Sequence, residues 1–206
     1  MVIACPGVTV DRNRTRLTDC SGHTFFMTDQ ELWNAAVRQI EKAWDSCAPS
    51  LVESLTGLIR QVSVRKESLH SLATAAGADR HCASCRGLCC HGGKHHVTII
   101  DLLAHLALGG ELFTPRFGAP VCPYLGPDGC LMAPSFRPRT CIVFLCDSVL
   151  TGMGNGERAE VAGMERELEQ LYREIGELLD IVPARSLLLA AESSTARGVP
   201  LIAVAV

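Results

Sequence analysis

Apolar residues recur three and four positions apart over much of this chain, which is the spacing of one face of an α-helix. The first such stretch is TDQELWNAAVRQIEKAW, with Leu32 and Ile40 on its apolar face. Pro49 interrupts the pattern, and a second helical stretch, LVESLTGLIRQVSVRKESLHSLATAAG, ends at Gly77. Residues 28–77 are therefore predicted to form an N-terminal pair of antiparallel helices.

The segment 82–146 is different in kind, because it is rich in Cys, Gly and Pro. Its one clear helix is IIDLLAHLAL, where Thr98 and Asp101 have the spacing of a capping box and Gly109 ends the apolar face. We expect His105 in this helix to cap it or to face the solvent. The stretch CIVFLC is typical of a buried strand, with a helical turn as the alternative.

A further helix is predicted over residues 157–180, ERAEVAGMERELEQLYREIGELLD. Its apolar seam consists of Val161, Met164, Leu168, Leu171, Ile175 and Leu178. Fewer than four heptads are present, so packing against the N-terminal helical pair is favoured over a coiled coil that recruits a protein partner. The tail SLLLAAESSTARGVPLIAVAV has apolar ends around a polar centre and predicts a small hairpin or an edge strand.

Composition adds that the whole chain, 1–206, is long enough for a core: 48% of its residues are hydrophobic and 20% are charged. We expect a single, mainly α domain in which a helical bundle flanks a loop-rich cysteine centre, with a few short strands at most. The net charge of −3 and the 5% aromatic content give no basis for binding nucleic acid. No apolar run reaches the roughly 18 residues of a membrane span, and no signal-peptide pattern opens the chain, so a soluble cytoplasmic protein is expected.

The chain has eleven cysteines, and in the cytoplasm clustered cysteines bind metal or do redox chemistry more often than they form disulfides. All but Cys5, Cys20 and Cys47 fall in the middle segment. The eight clustered cysteines are Cys82, Cys85, Cys89, Cys90, Cys122, Cys130, Cys141 and Cys146. We predict that they bind metal, with disulfides and buried thiols as the alternatives.

Spacing indicates how these thiols converge. Two residues separate Cys82 from Cys85, as in zinc knuckles and iron–sulfur loops, and Cys89 can join the same centre. The side chains of Cys89 and Cys90 diverge, so one of the two is expected to serve another centre or none. In CPYLGPDGC, a compact turn brings the two flanking cysteines together.

Either zinc or an iron–sulfur cluster suits this donor set, because two convergent pairs fit tetrahedral zinc and a loop-borne run fits [4Fe–4S]. The tight packing of Cys82, Cys85 and Cys89 favours the cluster. Four histidines flank the cysteines and are expected to face solvent or support the ligands; they are His81, His91, His95 and His96. The others, His23, His70 and His105, are distant in sequence.

The order of these elements resembles a known family. C-x2-C-x3-C-C is followed by an I-x-D helix, then CPYL with GC, then RP-x-x-C and a last cysteine at Cys146. This order is similar to the CxxCxxCC cysteine-cluster family, or YkgJ-like zinc- or iron-chelating proteins, over roughly the middle third of the chain. A related motif occurs in flagellin lysine methylases, where the resemblance implies an iron–sulfur cluster. This chain is short, shows no convincing methyl-donor site, and has Ile142 after Cys141, where the family often has Arg or Lys.

The sequence thus predicts a metal-binding protein with a redox, metal-carrier or sensing role. One alternative is a zinc-stabilised interaction module whose C-terminal helix recruits a protein partner, and another is an accessory subunit of a metal-dependent enzyme. No Ser-His-Asp spacing, paired-carboxylate motif or phosphate loop commits the chain to a reaction.

Overall fold

The mainly α prediction is confirmed by the computed structural model, which describes residues 9–11, 14–18, 24–85, 90, 92–112, 114–118, 122–126 and 129–203. The helices are α1 (Asp29–Asp45), α2 (Pro49–Ala75), α3 (Ala78–Cys85), α4 (Ile99–Leu108), α5 (Arg139–Val143), α6 (Asp147–Thr151), α7 (Asn155–Leu179) and α8 (Leu187–Arg197), with 3₁₀ turns at Gly93–His95 and Pro134–Phe136. Strands β1 (Thr9–Asp11), β2 (Arg14–Thr18) and β3 (Thr24–Thr28) form an antiparallel meander, and β4 (Leu125–Gly126) pairs with β5 (Gly129–Cys130).

Local sequence signals explain where the first helices begin. A capping box starts α1, because Thr28 Oγ1 accepts the Glu31 backbone N–H at 3.2 Å and Glu31 Oε2 accepts the Thr28 backbone N–H at 2.7 Å. Pro49 occupies the first turn of α2, where its missing N–H leaves no hydrogen bond unmade. The predicted capping box of Thr98 and Asp101 is likewise present at the start of α4.

Helix α2 runs through the centre of the bundle and packs mainly against α7, with α4 and α5 also in contact. Helix α1 packs mainly against α8 and α4. Helices α1 and α2, which the sequence predicts as a pair, therefore each have their main partner near the C-terminus and not in each other. Leu55 and Ile59 of α2 are fully buried, as are Leu168 and Ile175 of α7.

The C-terminal helix was predicted to pack against the N-terminal pair, and α7 contacts α2, the second helix of that pair. The predicted seam is wrong at its end, because Leu178 is 46% exposed while Tyr172 and Leu179 are buried. A straight helix has 3.6 residues per turn, so its buried face drifts away from a strict heptad repeat. The apolar stripe of α7 follows that drift.

Two further predictions are corrected. Most of the tail forms helix α8 instead of a hairpin or edge strand, and the helix ends at Gly198, whose φ of 63° is left-handed; residues 204–206 lie outside the described residues. Its polar centre fits a helix because the Ser193 hydroxyl donates to the Leu189 carbonyl at 3.0 Å. CIVFLC lies in the short helix α5 and the residues after it, which is the helical alternative and not the strand.

In the part of the chain that the structure describes, no helix has the length and apolarity needed to cross a membrane.

Candidate metal centre

Seven of the eight clustered cysteines line one cavity of about 790 Å³. They are Cys82, Cys85, Cys90, Cys122, Cys130, Cys141 and Cys146. The eighth, Cys89, lies outside the described residues, and Cys47 does not line the cavity. The cysteines of the wall come from α3, from Cys122 at the start of the CPYLGPDGC turn, from the β4–β5 hairpin and from the α5–α6 region.

Helix α3 supplies the first two cysteines, which had been expected on a loop. Residues three apart in a helix lie on one face, so Cys82 and Cys85 are neighbours there. The Cys85 thiol donates to the Cys82 carbonyl at 3.5 Å, which keeps it folded against its own helix.

Among the described clustered cysteines, Cys122 has the most buried side chain, and Gly93 makes room for it. A Cβ atom added at Gly93 would overlap the Cys122 Sγ atom, so only glycine allows this approach. The pairing of Leu125 with Cys130 in the hairpin returns the chain to the same wall. Burial raises the pKa of the Cys122 thiol, the Tyr124 backbone N–H partly opposes this, and nearby Cys130 raises it further.

Cys141 lies on α5, where its thiol meets a histidine. The His96 Nδ1 atom is 3.2 Å from the Cys141 Sγ atom. Although part of Cys141 is exposed, desolvation of the thiol raises its pKa well above the usual range, and Cys130 and Cys122 add to the effect. Burial, followed by the charge of neighbouring His95, lowers the pKa of His96. A neutral imidazole and a neutral thiol are therefore in contact at pH 7.

The flanking histidines differ in whether they line the cavity. His96 lines the cavity, whereas His81 and His95 are exposed and do not line it, and His91 lies outside the described residues. His70 also lines the cavity, from the last turns of α2, although its position in sequence gave no sign of it. Its proximity depends on α2 running alongside the centre.

The expectation that His105 faces the solvent is wrong, because this residue is buried at 6% exposure. Its ring stacks on Phe136, with 4.3 Å between the ring centroids and 22° between the planes. Gly110 leaves the space that the Phe136 ring fills. Burial lowers the pKa of His105, while backbone groups of Gly110 and Glu111 partly oppose that shift.

A buried ionic network joins three helices beside the cavity. Lys66 Nζ of α2 donates to Asp101 Oδ1 at 2.9 Å, and the Tyr172 hydroxyl of α7 donates to the same oxygen at 2.6 Å. Asp101 Oδ2 accepts the Thr98 backbone N–H at 2.9 Å and the Thr98 hydroxyl at 2.8 Å. Burial and the Asp101 charge raise the pKa of Tyr172 well above its usual value. The Arg139 guanidinium lies over the Tyr172 ring, 5.9 Å from its centroid, which links the network to the helix of Cys141.

The donor types around the cavity fit a thiophilic ion or cluster, since thiolates bind zinc and iron–sulfur clusters and an imidazole is also acceptable. Within the described residues, however, no three Cys, His, Asp or Glu side chains form a group that could hold a metal ion as placed. The thiols of Cys85, Cys122, Cys130, Cys141 and Cys146 are not in disulfides. The cysteines thus share a cavity and are chemically suited to a metal, without forming a ligand set in the described geometry.

No protein-family model, curated protein or solved structure matches this chain. The similarity to the CxxCxxCC cysteine-cluster family consequently stays a prediction that rests on the motif order alone.

Proposed function

We propose that this protein binds zinc or an iron–sulfur cluster through its clustered cysteines and has a redox, metal-carrier or sensing role. The observation that carries the proposal is the shared cavity, because cysteines from separate stretches between residues 82 and 146 all line it. Thiols that behaved only as small buried hydrophobes would have no reason to gather around one space.

The ligands would come from the seven cavity cysteines and from Cys89, with His96 as the histidine best placed to contribute. Bound zinc would clamp the loops together, and an iron–sulfur cluster would supply one-electron chemistry. Metal binding requires thiolates, and the pKa values of the Cys122 and Cys141 thiols are raised. Loading is therefore expected to release protons and to weaken as the pH falls.

The protein-partner alternative rests on the apolar face of α7. In the structure α2 packs against α7, so that face is already covered within the chain. Exposed apolar residues remain near the end of α7, at Leu178 and Val182. Scattered exposed apolar side chains are normal on protein surfaces, so the metal centre is the better-supported function.

Anaerobic purification of the full chain, followed by visible absorption and by iron, zinc and sulfide analysis, identifies the metal. A brown protein with iron and acid-labile sulfide would establish the cluster form. A colourless protein with stoichiometric zinc that a chelator unfolds would establish the zinc form. A well-folded protein that retains neither metal, and that binds neither on reconstitution, would refute the proposal.

A further inference from the structure

The cavity wall carries a polar patch as well as thiols. It consists of His70 at the end of α2, Asp79 in α3 and Arg137 just before α5. Arg137 and His70 are both half-buried, and they are 67 residues apart in sequence. The patch is therefore a product of the fold.

Arg137 is held in a fixed orientation. Its backbone is extended, with φ of −61° and ψ of 143°, as expected for a residue before a proline. Its Nε–H donates to the Met132 carbonyl at 3.0 Å, and its Nη1 atom is 3.4 Å from His70 Nδ1. A guanidinium carries five N–H donors, so donors remain for another acceptor. Among the residues that the structure describes, no carboxylate forms an ion pair with Arg137.

His70 complements this guanidinium. Because arginine only donates, Nδ1 of His70 accepts and the imidazole is neutral, with its proton on Nε2. Burial and the Arg137 charge lower the pKa of His70, which agrees with a neutral ring, although nearby Asp79 acts in the opposite direction. The wall thus offers a fixed cation and a neutral donor side by side, with one carboxylate close to the imidazole.

We propose that Arg137 and His70 bind the oxyanion, carboxylate or phosphate, of a small molecule that occupies the cavity. Arg137 is half-buried and no carboxylate of the described residues forms an ion pair with it, so an oxyanion would offset the cost of burying its charge. The planar guanidinium matches both oxyanions through paired hydrogen bonds. The cavity volume of about 790 Å³ lies in the range of small-molecule sites. This site goes beyond the proposed metal function and does not depend on it.

Calorimetric titration of the purified full chain with inorganic phosphate and, separately, with succinate at constant ionic strength tests the proposal. At least one probe should bind saturably, and the two titrations distinguish phosphate from carboxylate. Arg137→Gln should weaken that binding about tenfold or more, because a charge-assisted hydrogen-bond pair is lost. Arg137→Lys should retain part of it, because the charge remains without the fork. Arg116→Gln is the matched control, since Arg116 is exposed and does not line the cavity.

Binding of neither probe, or equal binding by the wild type and Arg137→Gln, would overturn the proposal. So would loss of metal in Arg137→Gln, because Arg137 would then balance the charge of a thiolate centre. If Arg137→Gln does not fold, His70→Gln decides: binding weakened severalfold supports the site, and unchanged binding refutes it. Metal content is measured on every sample before and after reconstitution, so oxyanion binding by a chain that takes up no metal would count against the metal proposal alone.

Discussion

At the scale of single residues, Gly93 shows how one missing side chain shapes the centre. Its Cα faces Cys122 so closely that a Cβ atom would overlap the Cys122 Sγ atom and come within 3.0 Å of its Cβ atom. The sequence HGGK marks a turn but does not identify this contact, because Cys122 lies far along the chain. The CxxC spacing was visible from the sequence, whereas the residue that admits Cys122 was not.

We expect Gly93→Ala to displace Cys122, to destabilise the fold by about 1–3 kcal/mol and to weaken metal binding about 10- to 100-fold. Gly57→Ala is the control, since a Cβ atom at Gly57 meets nothing within 4 Å and alanine should stabilise α2 by about 0.5–1 kcal/mol. Urea unfolding and zinc titration measure both effects. Unchanged stability and affinity in Gly93→Ala would show that Cys122 has more freedom than the structure gives it.

At the scale of the elements, the start of α4 does more than begin a helix. The capping box of Thr98 and Asp101 was predictable from spacing alone. The second role of Asp101, as acceptor for Lys66 and Tyr172, was not, because those residues lie on α2 and α7. Local signals in the sequence predict where the helices begin, whereas the packing of the helices determines which polar side chains bind each other.

Asp101→Asn should destabilise the protein by about 3–5 kcal/mol, because it leaves Lys66 buried without its counter-charge. The control is Glu167→Gln, which breaks the ion pair with Arg65; that pair is half-exposed and should contribute about 0–1 kcal/mol. Denaturant unfolding of both variants makes the comparison. A cost below about 1 kcal/mol for Asp101→Asn would mean that Lys66 reaches solvent or loses its proton.

At the scale of the whole molecule, the pKa values of several histidines are shifted in the same direction. The structure lowers the pKa of each, chiefly by partly desolvating the ring; they are His70, His95, His96 and His105. The unfolded chain therefore binds more protons than the folded one as the pH falls below about 6.5. Their contribution to stability is complete above that pH and declines on acidification.

The free energy of unfolding of metal-free protein should accordingly be smaller at about pH 5.5 than at pH 7. His105→Phe should reduce this difference, because His105 is buried against Phe136 and its titration is removed. Exposed His81→Phe serves as the control and should leave the difference unchanged. Equal stability at the two pH values would contradict the partial desolvation of these imidazoles.

The mainly α architecture was predictable because helical periodicity extends over most of the chain. The tail was mispredicted because its Ser and Thr residues are typical of a turn. In the folded protein α1 packs against this segment, and it forms helix α8. The cavity itself was beyond the sequence, since it forms only where α3, the β4–β5 hairpin and α5 meet. His70 and Arg137 became site residues for the same reason.

The most direct test of the metal centre is the metal and sulfide content per chain after anaerobic purification, compared between Cys122→Ser, Cys141→Ser and Cys47→Ser. Cys47 lies outside the cavity, so Cys47→Ser should retain the metal of the wild type. Cys122→Ser and Cys141→Ser should lose most of it, because each removes a thiol from the shared cavity wall. Equal metal content in all three variants, or none in the wild type even after reconstitution, would contradict a metal centre at these cysteines.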